Sequence, residues 1–194
     1  MPILIFFSRR SALRVGLVLL ALACADAGVS PSRARAEVPR EYQIKALFLF
    51  NFAQFVQWPS AAFARANEPF RIGILGDDPF DGFLDETVRG EKINGNPLVI
   101  ERYASVGEVK DCQILFISRS ENGRVGEILG AVKDKNILTV GDMEGFLKNG
   151  GIIRFVTEEN KIHFKIDLDA AKNVNLVISS QVLRLAQIVE PGKD

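Results

Sequence analysis

Cysteine, histidine and tryptophan are scarce in this chain: two, one and one in 194 residues. His163 has no second histidine beside it, and no His/Cys spacing supplies a set of metal ligands, so neither a metal nor any other cofactor is expected. A Gly-x-Gly-x-x-Gly fingerprint and a Walker phosphate loop are both missing, which removes the usual routes to nucleotide binding. Gly-x-Ser-x-Gly is missing as well. No nucleophile has a base placed beside it, so the chain reads as a non-enzyme.

Long hydrophobic runs are also lacking. The longest, Val15 to Ala25, falls short of the roughly 20 apolar residues that span a bilayer. It follows Arg9, Arg10 and Arg14, and no acid precedes Asp26, the pattern of a secretory signal peptide. Cleavage fits after Ala25, Ala27 or Ala36; Ala36 is favoured because Glu37 opens a stretch of different character. Residues 1–36 are therefore expected to be a signal peptide, with residues 37–194 as one exported domain in the periplasm. Ser8 to Arg14 suits either a twin-arginine signal or an ordinary secretory one. Leu20-Ala-Leu-Ala-Cys24 loosely resembles a lipoprotein box, but Ala21 stands where leucine is usual, which argues against a lipid anchor.

The whole chain balances 24 basic against 24 acidic residues. Losing five arginines and Asp26 leaves 19 basic and 23 acidic residues, a net charge of −4. Such a domain has no electrostatic reason to seek nucleic acid or an anionic membrane. Cys112 is then the single thiol, so no internal disulfide can form, and its place at the head of an apolar run marks it as a core residue.

Glu41 to Gln57 reads as a helix stopped by Trp58-Pro59. Its apolar arc holds Ile44, Phe48, Leu49, Phe52, Phe55 and Val56, with Asn51 inside it; Phe50 falls among Gln43, Gln54 and Gln57. After a polar linker, strands are expected at Phe70–Leu75, Leu98–Arg102, Cys112–Ser118 and Ile137–Val140. Helices are expected after Asp78-Pro79, over Glu121–Lys133 and over Met143–Lys148, with one helical turn at Val106–Lys110. Alternation of this kind predicts an α/β fold with a mostly parallel sheet between helices. The end differs: Ile152–Thr157 and Ile162–Asp167 predict an antiparallel hairpin with His163, Lys165 and Asp167 on a wet face. A final helix capped by Ser179 or Ser180 and reaching Val189 closes the chain.

Two groups of residues remain candidates for function. Ligands of an open parallel sheet bind beyond the carboxyl ends of its strands. Those ends carry Asp77, Asp78, Arg119 and Asp142, which suit either a small polar ligand anchored by Arg119 or simple helix capping by Asp78, Ser120 and Asp142. The second group is Phe50, Gln54, Gln57 and Trp58, at the first helix and its end. Phe50 is either tucked under a loop or kept for a partner, and Trp58 is either a core plug or an interface anchor. Asn51 must find hydrogen-bond partners, with a neighbouring loop backbone the expected one.

The assembled motifs resemble the YfiR family. The likeness is carried by Lys45-Ala-Leu-Phe-Leu-Phe-Asn-Phe-Ala-Gln-Phe-Val-Gln-Trp-Pro59, Ile72-Gly-Ile-Leu-Gly-Asp-Asp-Pro-Phe80 and Cys112-Gln-Ile-Leu-Phe-Ile-Ser118. It continues through Leu138-Thr-Val-Gly-Asp142, Gly150-Gly-Ile-Ile-Arg-Phe155, Phe164-Lys-Ile-Asp-Leu-Asp-Ala-Ala171 and Ile178-Ser-Ser-Gln-Val-Leu-Arg-Leu-Ala186. The resemblance implies a periplasmic, non-catalytic α/β protein, often a homodimer. It implies a membrane-bound partner too: the protein represses an inner-membrane diguanylate cyclase through that enzyme's periplasmic domain, coupling periplasmic conditions to cyclic-di-GMP and biofilm formation. The redox sensitivity of that branch depends on cysteine pairs, which Cys112 alone cannot provide.

Overall fold

Helix α1 runs from Arg40 to Phe55 and buries Lys45, Ala46, Leu49, Phe52 and Ala53. These residues fall on one side of the helix by their three- and four-residue spacing. The computed structural model describes residues 39–63 and 68–194, all within the unit Glu37–Asp194. The expected signal segment with Cys24 and linker residues 64–67 lie outside the described residues.

The sheet grows around β2 (Phe70–Leu75), whose last four residues are all buried. Parallel neighbours flank it: β4 (Asn96–Tyr103) on one side and β5 (Ile114–Ile117) on the other, so that Ile72 lies between Ile100 and Ile114. Beyond β5 come β6 (Leu138–Gly141) and β7 (Ile153–Glu158), both parallel to it. Near-continuous apolar strands of this kind suit a sheet covered on both faces. The hairpin partner β8 (Lys161–Asp167) is antiparallel to β7. At the far edge β3 (Lys92–Ile93) folds back on β4.

One face of the sheet packs under α1, α2 (Phe83–Val88), and parts of α4 (Leu168–Asn173) and α5 (Ser180–Leu183). The other packs under α3 (Val125–Val132) together with Met143, Phe146 and Leu147. The Phe146 ring lies directly over Gly141 and Gly151; a Cβ added there would fall 2.6 and 2.2 Å from it, so neither position has room for one. The fold is the α/β architecture expected from the sequence, with a C-terminal hairpin and a final helix.

Several local expectations give way to longer-range contacts. Helix α1 stops at Phe55 because Val56 and Gln57 form β1, paired antiparallel with β9 (Val177–Ile178). Asp78 does not cap a helix beginning at Pro79. Its Oδ1 accepts the Phe80 N–H at 2.8 Å, and α2 begins only after Gly82. Met143 to Lys148 is a series of turns rather than a helix, and the segment before α3 is a 3-10 stretch, Arg119–Arg124. Asp167 is buried, not wet: its carboxylate caps α4, accepting the Asp169 and Ala170 N–H groups. The final helix is a single turn because Gln187–Val189 leaves it as β10, which adds parallel to β8. Ser179 precedes α5 without a side-chain capping bond.

Candidate functional site

The chain leaves β2 for β4 on one side and then crosses to β5 on the other. Such a reversal opens a crevice at the carboxyl ends of the two strands, where ligands of open α/β sheets commonly bind. Here the protein fills that crevice itself. Gly76 has φ +87°, and a Cβ on it would fall 2.4 Å from Ser120 Oγ and 2.9 Å from Glu121 Cγ. The Asp77 N–H donates to Ser120 Oγ at 2.9 Å, so this hydroxyl ties the two strand ends together rather than capping a helix.

The four strand-end residues do not form one cluster. Asp78 is held on the β4 side, where its Oδ2 accepts from Arg102 Nε at 2.8 Å. Arg102 also grips Asp85 on α2 with both terminal nitrogens, and this bond holds the Asp85 carboxyl below its usual range. The Asp77 side chain is exposed. Arg119 and Asp142 come together on the β5–β6 side. Arg119 Nε lies 3.2 Å from Asp142 Oδ1, without the alignment of a hydrogen bond.

Asp142 does not cap a helix; it joins a network centred on a lysine. Lys45, 0 % exposed, places Nζ 2.5 Å from Asp142 Oδ2 and also pairs with Glu41 one turn earlier. The Tyr42 hydroxyl donates to the same Asp142 oxygen at 3.0 Å, and Lys45 Nζ lies 4.4 Å from the Tyr42 ring centre. Burial first, and the Asp142 carboxylate second, raise the Tyr42 hydroxyl pKa well above its usual value. The Arg119 guanidinium is also held charged: burial opposes its charge, but Asp142, Tyr42 and Glu41 outweigh it. Lys45, Tyr42 and Glu41 are absent from the sequence-based candidates. The signal was present, because Lys45 shares a helix face with Leu49, Phe52 and Val56, where a lysine needs a buried partner.

Of the second group, Trp58 packs inward. Its ring meets Phe70 edge-on at 4.9 Å, and its Nε1–H donates to the Gln113 carbonyl at 3.0 Å. Phe50 is half-buried against the core beneath α1, while Gln54 and Gln57 are exposed. The Asn51 side chain has no hydrogen-bond partner among the described residues; it lines a 110 Å³ groove with Phe48, Phe55, Phe164 and Leu185. Around this groove and the outer side of α1, large apolar side chains stand in solvent: Leu47 at 49 %, Val177 at 59 % and Leu185 at 65 % exposure. Cys112 is buried, as its position in the sequence indicates, and burial pushes its thiol up to about 12. His163 is exposed on β8.

Fold and site together define an α/β protein whose strand-end charges, the exposed Asp77 apart, are paired within the chain, and whose exposed large apolar side chains are Leu47 on α1, Val177 on β9, Leu185 after α5 and Ile188 on β10. The family model described as YfiR/HmsC-like matches residues 42–187. The chain belongs to the YfiR/HmsC-like family. No curated protein matches it in sequence. Among solved structures it is similar to the ABC domain from Streptococcus pneumonia in complex with L-Trp, at 11% identity and TM-score 0.46, covering 62% of this chain and 55% of that one. It is also similar to a conserved domain protein from Vibrio cholerae, at 13% identity and TM-score 0.43, covering 61% and 54%. The chain spans about half the length of both.

Proposed function

We propose that the protein is a periplasmic regulator that binds and inhibits the periplasmic domain of an inner-membrane signalling enzyme of the diguanylate cyclase type. Membership of the YfiR/HmsC-like family, over residues 42–187, is the observation that carries this reading. The arginine-flanked apolar run at the N-terminus supports export. Binding rather than chemistry is supported by the strand ends, where Asp142 pairs with Lys45 of α1 and with Arg119.

The surface offered to the partner is the outer side of α1 and its junction with β9 and α5. Leu47, Val177 and Leu185 supply exposed apolar contact there, and Gln54 and Gln57 supply a polar rim. Phe50 and Trp58 support this surface from below. The regulator acts by binding the inactive state of the partner's periplasmic domain more tightly than the active one. Cyclic-di-GMP measured in a deletion strain tests this. Deletion should raise it, wild-type protein should lower it again, and a folded Leu47→Glu/Leu185→Glu variant should not. Unchanged cyclic-di-GMP on deletion would refute the proposal.

A further inference from the structure

A cavity of about 740 Å³ lies on the side of the hairpin strands β7 and β8, near the ends of β5 and β6. Its walls include Arg119 and Asp142, but these two are engaged with α1 and with each other. The hairpin wall differs. Arg154 on β7 and Lys165 on β8 are direct cross-strand partners, and both line the cavity. Residues directly opposite across an antiparallel pair are neighbours on one face, and like charges placed so are unfavourable. Both side chains are at least half-buried, so water screens this repulsion poorly.

Two exposed carboxylates, Glu144 and Glu158, also line the cavity without pairing with either cation, and one other carboxylate contacts the pair. Arg154 Nη1 donates to Asp194 Oδ1 at 2.7 Å, and Asp194 belongs to the segment that follows β10. Arg154 Nε is buried and has no hydrogen-bond partner. Lys165 makes no ion pair among the described residues. The guanidinium therefore uses one donor on a single carboxylate oxygen, where a free carboxylate could take two in the forked geometry that arginine favours. The wall holds two positive charges and a buried, unused donor beside an open volume, with Asp194 resting on Arg154 and Glu158 further along β7.

We infer that this hairpin wall is a binding site for a small dicarboxylate, with Arg154 as its forked anchor, Lys165 as its second cation and Asp194 as a built-in competitor. The site does not depend on which protein the chain regulates. The ligand replaces Asp194 on Arg154 and places its second carboxylate at Lys165, which removes the cross-strand repulsion.

Succinate is the probe, and its affinity for the purified protein is read by calorimetry and by amide chemical shifts. Asp194→Asn should tighten succinate binding by about tenfold, since it removes the competing charge while leaving the fold in place. Arg154→Lys keeps the charge but loses the fork, and should weaken binding by about tenfold or more. Lys165→Gln should weaken it too, and shifts should concentrate on β7 and β8. The inference is overturned if Asp194→Asn binds succinate no better than wild type, or if Arg154→Lys, shown to be folded by its amide spectrum, binds it unchanged.

Discussion

Lys45 and Asp142 lie 97 residues apart in sequence, yet Nζ and Oδ2 meet at 2.5 Å with both side chains out of solvent. The contact pins the first turns of α1 to the carboxyl end of β6. Taking away one member of a buried ion pair strands the other charge, at a cost of about 3–5 kcal/mol.

Lys45→Met and Asp142→Leu should therefore each destabilise the fold by about 3 kcal/mol or more in urea denaturation. The double variant should lose clearly less than the two added together, because no orphaned charge remains between the pair. Strict additivity would show that the pair is not a coupled unit.

Trp58 separates packing from recognition. Its indole N–H meets the Gln113 carbonyl, which also accepts the Leu138 N–H at 2.8 Å, so losing the indole bond leaves no unsatisfied acceptor. Trp58→Phe should cost about 1 kcal/mol and Trp58→Ala about 3–5 kcal/mol. With Trp58→Phe folded, capture of the partner should be undiminished; a large loss of binding in that variant would make Trp58 a direct contact.

Alkaline pH should unfold the protein through three raised acids. Burial pushes the Cys112 thiol up to about 12. Burial and the bond to Glu101 raise Tyr103, as burial and Asp142 raise Tyr42. In each case the unfolded chain releases its proton at a lower pH than the folded one. The stability these groups contribute is complete below their unfolded pKa values and is lost as pH climbs toward the folded ones. Melting temperature should fall steeply from about pH 9 upward, and Cys112→Ala should flatten the early part of that fall. At neutral pH Cys112 stays a buried thiol, so oxidant and reductant should leave the melting temperature unchanged.

Much of the fold was legible in the sequence. Apolar run length alone locates β2 at Phe70–Leu75, and turn residues around Asn160 locate the hairpin. The errors fall where a local signal competes with a distant partner. Val56 continues the helical pattern of α1 but finds Ile178, and Gln187–Val189 continue the pattern of α5 but find β8. Asp78, Ser120 and Asp142 all have capping chemistry, yet each is used by a group more than one turn away or in an Asx-type turn. Arg119 and Asp142 do meet, but the lysine that shares Asp142 was hidden among the apolar positions of α1. Arg154 and Lys165 become neighbours only through the hairpin register.

As the proposed regulator, this chain works by holding a membrane protein through that protein's periplasmic domain. Affinity capture of the tagged exported protein from detergent-solubilised membranes, with mass spectrometry of what it retains, tests that claim most directly. Recovery of an inner-membrane protein with a periplasmic domain and a diguanylate cyclase output is expected, and it should be lost with Leu47→Glu/Leu185→Glu. Repeated recovery of the tagged protein alone, from membranes known to contain such cyclases, would contradict it.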